Sequence, residues 1–251
     1  QLGIIGSATS PDSSTQSSSQ STDKADGGHS SNGSGTDNAN GTGGVGGTDG
    51  ADGNGQDTVT DNPLKIVESG WSADQQGYVH YAFALRNTST TQQVQYPQIT
   101  ITGRAKDGSI VFSQTQTLNM AFPNQTVYDA DQAGEGTAPA TVDFVVLSPD
   151  TYNVTEAQGT ATFPISGTSK IDNRDGGTTF NGEVHAVADG FKPSDGQQIK
   201  ISLVLRNAQN AIIYGDIAFV DWPGNGRSAP FSITVYDLPK YSSYDLYAQI
   251  W

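Results

Sequence analysis

The chain has 251 residues, a formal net charge of −14 and no cysteine. The missing thiols exclude disulfides and thiolate zinc sites, and the acidic balance argues against nucleic acid and anionic membrane surfaces, whose phosphates demand Lys/Arg footprints. The 9 Phe, 3 Trp and 10 Tyr all lie from Trp71 onward, so the first quarter lacks the apolar surface needed to offset an ordering entropy of about 1–2 kcal/mol per residue.

Residues 1–62 therefore read as a disordered Ser/Gly/Asp-rich linker. It carries eight Asp and one Lys. As a flexible tether, about 50 residues of such sequence span roughly 40 Å on average. At its start stands a short apolar stub, Leu2-Gly3-Ile4-Ile5-Gly6, readable as the tail of a removed signal peptide or membrane anchor or as the ordinary start of a disordered tail. Near its end, Asp49-Gly50-Ala51-Asp52-Gly53-Asn54-Gly55-Gln56-Asp57 alternates oxygen ligands with glycine. The spacing is wrong for a calcium loop and no Glu closes it, so weak counterion binding is expected.

Residues 63–159 read as a first β-unit. Leu64-Lys65-Ile66-Val67 is a short strand. Residues 78–85 alternate like a half-buried strand, and 95–104 and 109–118 flank a hairpin signal at Lys106-Asp107-Gly108. A second turn falls at Phe122-Pro123-Asn124-Gln125. Residues 129–139 read as a polar loop before a strand at 141–147. Residues 160–251 form the second unit, with strands expected at 160–165, 182–187, 198–205, 211–220, 231–236 and 244–251 and a polar loop at 166–177. No apolar period of 3.6 residues runs long enough for a substantial helix. Short strands at roughly ten-residue spacing imply β-sandwiches.

The two units repeat each other. Gly77-Tyr78-Val79-His80 matches Gly182-Glu183-Val184-His185, Phe122-Pro123 matches Trp222-Pro223, and the strand holding Val142, Phe144 and Val146 is aligned with that holding Phe231, Ile233 and Val235. Offsets drift only in loops, as expected when sheets are held and connections vary.

With its Gly-x-Val start, the Arg86-Asn87-Thr88-Ser89 turn, Lys106-Asp107-Gly108-Ser109-Ile110-Val111 and a proline turn, residues 63–251 resemble bacterial FxLYD-type domains and related immunoglobulin-like modules of Gram-positive lipoproteins. The stretches corresponding to that family's Phe-x-Leu-Tyr-Asp are Ile101-Thr102-Gly103-Arg104-Ala105-Lys106-Asp107 and Leu203-Val204-Leu205-Arg206-Asn207. The resemblance implies small tandem sandwiches on an exported, surface-exposed protein. It brings no catalytic residues.

Candidate chemistry is sparse. His80 and His185 occupy equivalent positions in separate units, where a half-exposed strand histidine is the expected role. No Gly-x-Ser-x-Gly elbow occurs, and the only glutamates are Glu68, Glu135, Glu156 and Glu183, so neither a hydrolase triad nor a glycosidase acid pair is expected. Asn87, Asn124 and Asn153 begin glycosylation-type triplets, which carry no meaning in a bacterial chain. Trp71, Trp222 and Tyr241 are the candidate ligand-binding residues. An aromatic such as Trp222, on a turn with Pro223-Gly224-Asn225-Gly226, either stacks on a sugar ring or partner protein or plugs the end of a core. Tyr241, Tyr244 and Tyr247 likewise form a surface patch or alternate into the core.

The expectation is thus all-β: two tandem immunoglobulin-like β-sandwich domains, 63–159 and 160–251, after a disordered N-terminal linker. The expected protein is monomeric, non-enzymatic and without metal or cofactor. It is placed outside the cell or in the envelope, anchored if at all through a removed N-terminal segment. It presents interaction modules to a protein or glycan, or serves as a spacer or accessory domain of an envelope complex.

Overall fold

The structure, a computed structural model, describes residues 62–251. The linker, the stub and the Asp49–Asp57 tract lie outside the described residues. The described residues are all-β, with a single three-residue 3-10 turn, Thr151–Asn153, as their only helical element.

In the first half, strands β1 (Leu64–Ala73), β2 (Val79–Asn87) and β7 (Thr126–Ala133) form one antiparallel sheet in the order β1-β2-β7. Strands β4 (Gln98–Arg104), β5 (Ile110–Thr117) and β8 (Thr141–Val146) form a second, in the order β5-β4-β8. A small third sheet joins β3 (Gln92–Gln95), β6 (Met120–Ala121) and β9 (Val154–Glu156). Alternation in β2 and β4 sends Val79, Tyr81, Phe83, Leu85, Ile99 and Ile101 into one core with Leu118 and Val127.

The second half repeats this pairing. Strands β10 (Thr160–Thr162) and β11 (Ile165–Asp172) pair with β12 (Thr178–Asp189), and β15 (Arg227–Val235) pairs with the stretch of β12 that β11 also uses, hence from its opposite edge. Strand β13 (Gln198–Arg206) lies between β14 (Ile212–Asp221) and β16 (Ser243–Ile250). Ile199, Ile201, Leu203 and Leu205 of β13 meet Phe180, Val184, Phe231 and Ile233 in a second core.

The pairing corrects the end of the sequence repeat. Strand β15 pairs with β12 as β7 pairs with β2, and β16 pairs with β13 as β8 pairs with β4. The strand of Phe231, Ile233 and Val235 therefore corresponds to β7, not to that of Val142, Phe144 and Val146. Both segments alternate apolar residues, and alternation alone carries no information about the partner strand.

Two expected loops are strands. Residues 166–177 contain most of β11, whose side chains are exposed from Ser166 to Asp172. This strand is held by backbone pairing to β12 and shows no apolar alternation to read. Residues 129–139 contain the second half of β7, hidden because its side chains there include Asp129 and Asp131.

Two strands, β2 and β13, are buried on both faces. One face of each fills its own core, and the other lies at the junction between the halves, where Ala82, Ala130, Val204 and Ile212 form a third cluster with Tyr128, Ile217 and Tyr247. The rings of Tyr128 and Tyr247 stack at 3.7 Å with an interplanar angle of 7°. The backbones approach closely enough to require glycine. A Cβ on Gly70 of β1 would sit 1.8 Å from the Ile212 carbonyl oxygen, and one on Gly215 of β14 would sit 2.2 Å from that of Tyr81.

Candidate functional site: the buried charge cluster at the junction

The junction carries ionic groups that apolar packing does not require. Along β13 the odd positions 199–205 point into the second core, so Lys200, Ser202, Val204 and Arg206 share the opposite face. Asp129 and Asp131, two residues apart on β7, lie on one side of that strand, opposite Phe83 and Tyr81 of β2. Lys200 and Asp129 have fully buried side chains. Lys200 Nζ lies 2.9 Å from Asp129 Oδ1 and 3.1 Å from Asp131 Oδ2. The Trp251 ring lies 4.4 Å from the same ammonium, a cation–π contact strengthened by desolvation.

Gln249 of β16 donates from Nε2 to Asp129 Oδ1 at 2.5 Å, and Gln116 of β5 donates to Asp131 Oδ2 at 3.4 Å. Among the described residues, Asp129 Oδ2, Gln249 Oε1 and the Tyr81 hydroxyl are buried without a hydrogen-bond partner. Burial pushes the Asp129 carboxyl up to about 6, against the pull of Lys200 and with the neighbouring Asp131 adding to the rise. Burial and the two aspartates also raise the Tyr81 phenol. One cation thus meets two carboxylates, one of them in a fully dry position.

A second ionic point lies at the other end of β13. Arg206 Nη1 and Nη2 donate to Glu68 Oε2 and Oε1 at 2.8 and 3.0 Å, a bidentate pair. Its Nε donates to Asp245 Oδ2 at 2.7 Å, and Tyr128 Oη donates to Glu68 Oε1 at 2.7 Å. The Arg206 hydrogen bonds hold the Glu68 carboxyl below the usual glutamate value, with burial opposing them. A β-bulge between Ile66 and Glu68 makes this possible. Leu64 and Ile66 face the first core and, beyond the bulge, so does Trp71. The extra residue reverses the alternation and turns Glu68 toward the junction.

A third point pairs rings. His80 stacks on Tyr214 at 4.7 Å, and its Nε2 lies 3.4 Å from Asp74 Oδ2. His185 is placed differently, with Nδ1 3.1 Å from Ser228 Oγ. The two equivalent histidines thus do different work, because only His80 lies at the junction.

The three sequence candidates lie at different places. Trp71 is half-buried against the first core. Trp222, also half-buried, meets Phe163 edge-to-face at 5.7 Å and Phe191 at 6.3 Å. Tyr241 packs near Phe180 and lines an open cleft with Lys170, Asp172, Leu238, Pro239 and Tyr244. Its hydroxyl is buried without a hydrogen-bond partner among the described residues, and Lys170 Nζ lies 5.7 Å from its ring centre. Asn87 is buried, its Nδ2 donating to the carbonyls of Gln92, Ala121 and Phe122, which leaves no room for a glycan. Among the described residues, no group of three or more His, Cys, Asp or Glu is placed to hold a metal ion, and no helix is long and apolar enough to cross a membrane.

Sequence reasoning missed Asp129, Asp131, Lys200, Gln249, Glu68 and Arg206. One signal was present: Lys200 interrupts the run Ile199-Lys200-Ile201-Ser202-Leu203-Val204-Leu205. A lysine inside a strand apolar on both faces demands a buried partner. No protein-family model matches the chain, and no curated protein is significantly similar to it.

Proposed function

We propose that this chain is a non-enzymatic bacterial protein of the cell surface, envelope or exterior. Its two halves are immunoglobulin-like β-sandwiches that work as one rigid spacer or accessory element. The observation that carries this reading is the junction: two strands buried on both faces, glycines at the close approach, and ionic groups at both ends of β13. Tandem domains joined by small polar contacts move independently by default. The sandwich reading is supported by the pairing β1-β2-β7 over β5-β4-β8 and its repetition around β12 and β13. The acidic, cysteine-free composition and the resemblance to exported lipoprotein modules support the location.

Nitrogen-15 relaxation of the full chain tests rigidity. Residues 63–251 are expected to tumble with one correlation time, and two separate correlation times for 63–159 and 160–251 would refute the single element. An interaction module is the second reading, favoured by the cleft at Lys170, Pro239 and Tyr241. A glycan and protein array read against Tyr241→Ala tests it, and signal lost in the variant would establish it.

A further inference from the structure

The dry pair at the junction has the makings of a covalent bond. Lys200 carries an amine and Asp129 a carboxyl, both fully buried and in direct contact at 2.9 Å. The two come from different halves of the fold, 71 residues apart in sequence. Asp129 Oδ1 accepts a hydrogen bond from Gln249 Nε2, while Asp129 Oδ2 has no partner among the described residues. A second carboxylate, Asp131, touches the same amine at 3.1 Å and is partly open to solvent. As a simple ion pair this arrangement is poorly satisfied, because desolvation penalises both charges and one carboxylate oxygen remains unpaired.

We propose that Lys200 and Asp129 condense to an intramolecular amide that covalently joins the two halves. In the reactive form the shared proton sits on the Asp129 carboxyl and Lys200 is the free amine. Burial, which raises the Asp129 carboxyl, favours that form. The Nζ lone pair attacks Asp129 Cγ. Gln249 Nε2–H, already bonded to Oδ1, stabilises the oxyanion that develops there. Asp131 takes a proton from Nζ and delivers it to Oδ2, which leaves as water. One N–C bond forms, the Cγ–Oδ2 bond breaks, and one water is released with no change of oxidation state. The unpaired oxygen is the one removed, and both buried charges disappear with it. Fixed contact between nucleophile and carbonyl replaces a bimolecular encounter, an advantage that reaches about 10⁵ M or more in effective concentration when alignment is good. Burial of the product excludes the water that hydrolysis would need.

The test is the intact mass of the full chain under denaturing conditions, followed by a proteolytic peptide map. The expected result is a mass lower by one water, about 18 Da, with a branched peptide joining the segments of Lys200 and Asp129. Lys200→Met and Asp129→Ala should each restore the missing water and give linear peptides. Asp131→Asn should lower the cross-linked fraction while leaving the fold intact. Succinimide formation at Asp-Gly pairs such as Asp107-Gly108 gives the same loss. A deficit mapped to such a peptide, or a full mass with Lys200 in a linear peptide, would overturn the proposal. The wild-type measurement decides even if both variants fail to fold.

Discussion

Substituting Gly215 by valine tests the junction at its tightest point. A Cβ there would stand 2.2 Å from the Tyr81 carbonyl oxygen and 2.7 Å from Ala130 Cβ. Ordinary contacts begin near 3.5 Å, so the facing strands must separate by an ångström or more. Neither obstacle is the flexible end of a side chain. Tyr81 O belongs to the backbone of β2, paired on both sides, and Ala130 is its neighbour's cross-strand contact. Overpacking of this kind costs about 1–3 kcal/mol, and in a domain of this size that lowers Tm by about 2–12 °C. The loss should come from the junction, because the atoms a Cβ on Gly215 would meet first belong to the Tyr81 backbone and to Ala130, which lies in the junction cluster. Calorimetry should therefore show the single wild-type transition broaden or split, while near-ultraviolet circular dichroism below it changes mainly in tyrosine bands. Ser169→Ala on the exposed edge strand β11 serves as control and should stay within about 0.5 kcal/mol of wild type. A Gly215→Val protein that melts as the wild type does would refute the close approach and, with it, the rigid junction.

Glu68→Gln removes the carboxylate that faces Arg206. Because the folded value of Glu68 is depressed, its stabilisation is present above the unfolded value of about 4.3 and is lost as pH falls through the folded one. The urea midpoints of wild type and variant should differ at pH 7 and converge toward pH 3; a constant difference would count against the pair. Asn87→Ala removes a buried amide that donates to the carbonyls of Gln92, Ala121 and Phe122 and should cost about 1–3 kcal/mol, read as a lower urea midpoint at unchanged m-value. Trp222→Ala should destabilise by somewhat less than the about 3–5 kcal/mol of a fully buried aromatic; unaltered stability would return Trp222 to the list of free binding side chains.

Much of the strand inventory was legible because bulky apolar residues at every second position write the period of a strand into the sequence. Residues 78–85, 95–104, 198–205 and 211–220 were found in this way, and hairpin glycines such as Gly108 marked their connections. Strand β11 was not, since its partner β12 holds it by backbone bonds while its side chains face solvent. The β1 bulge was equally invisible: reversing the face of Glu68 takes one extra residue and leaves no mark on composition. The candidate site was harder still. Aromatic character drew attention to Trp71, Trp222 and Tyr241, of which Trp222 was read on a turn, whereas the charged residues that meet across the junction lie far apart in sequence, Glu68 with Arg206 and Asp129 with Lys200. Alternation reports that a face is buried, not by what. A strand such as β2, with bulky residues on one face and Ala82 and Ala84 on the other, reads as half-buried unless a second sheet is already known to cover the alanines.

The pairing of small residues with ions at this junction has a physical logic. Ala82, Ala130, Val204 and Ile212 offer a nearly featureless apolar contact, and the hydrophobic effect is non-directional, so such a patch tolerates sliding and rotation. Lys200 and Arg206 share one face of β13 six residues apart, about 20 Å along the strand. Each must find its own carboxylates on the facing half: Asp129 and Asp131 for one, Glu68 for the other. Two fixed points separated by that distance determine translation and rotation together, because any slip strands a desolvated charge at one end or the other. Breaking such a pair costs about 3–5 kcal/mol even where forming it contributes little net stability. The ions therefore select one arrangement of the halves more than they strengthen it. An amide between Lys200 and Asp129 would make that selection irreversible at one end while Arg206 and Glu68 continue to hold the other.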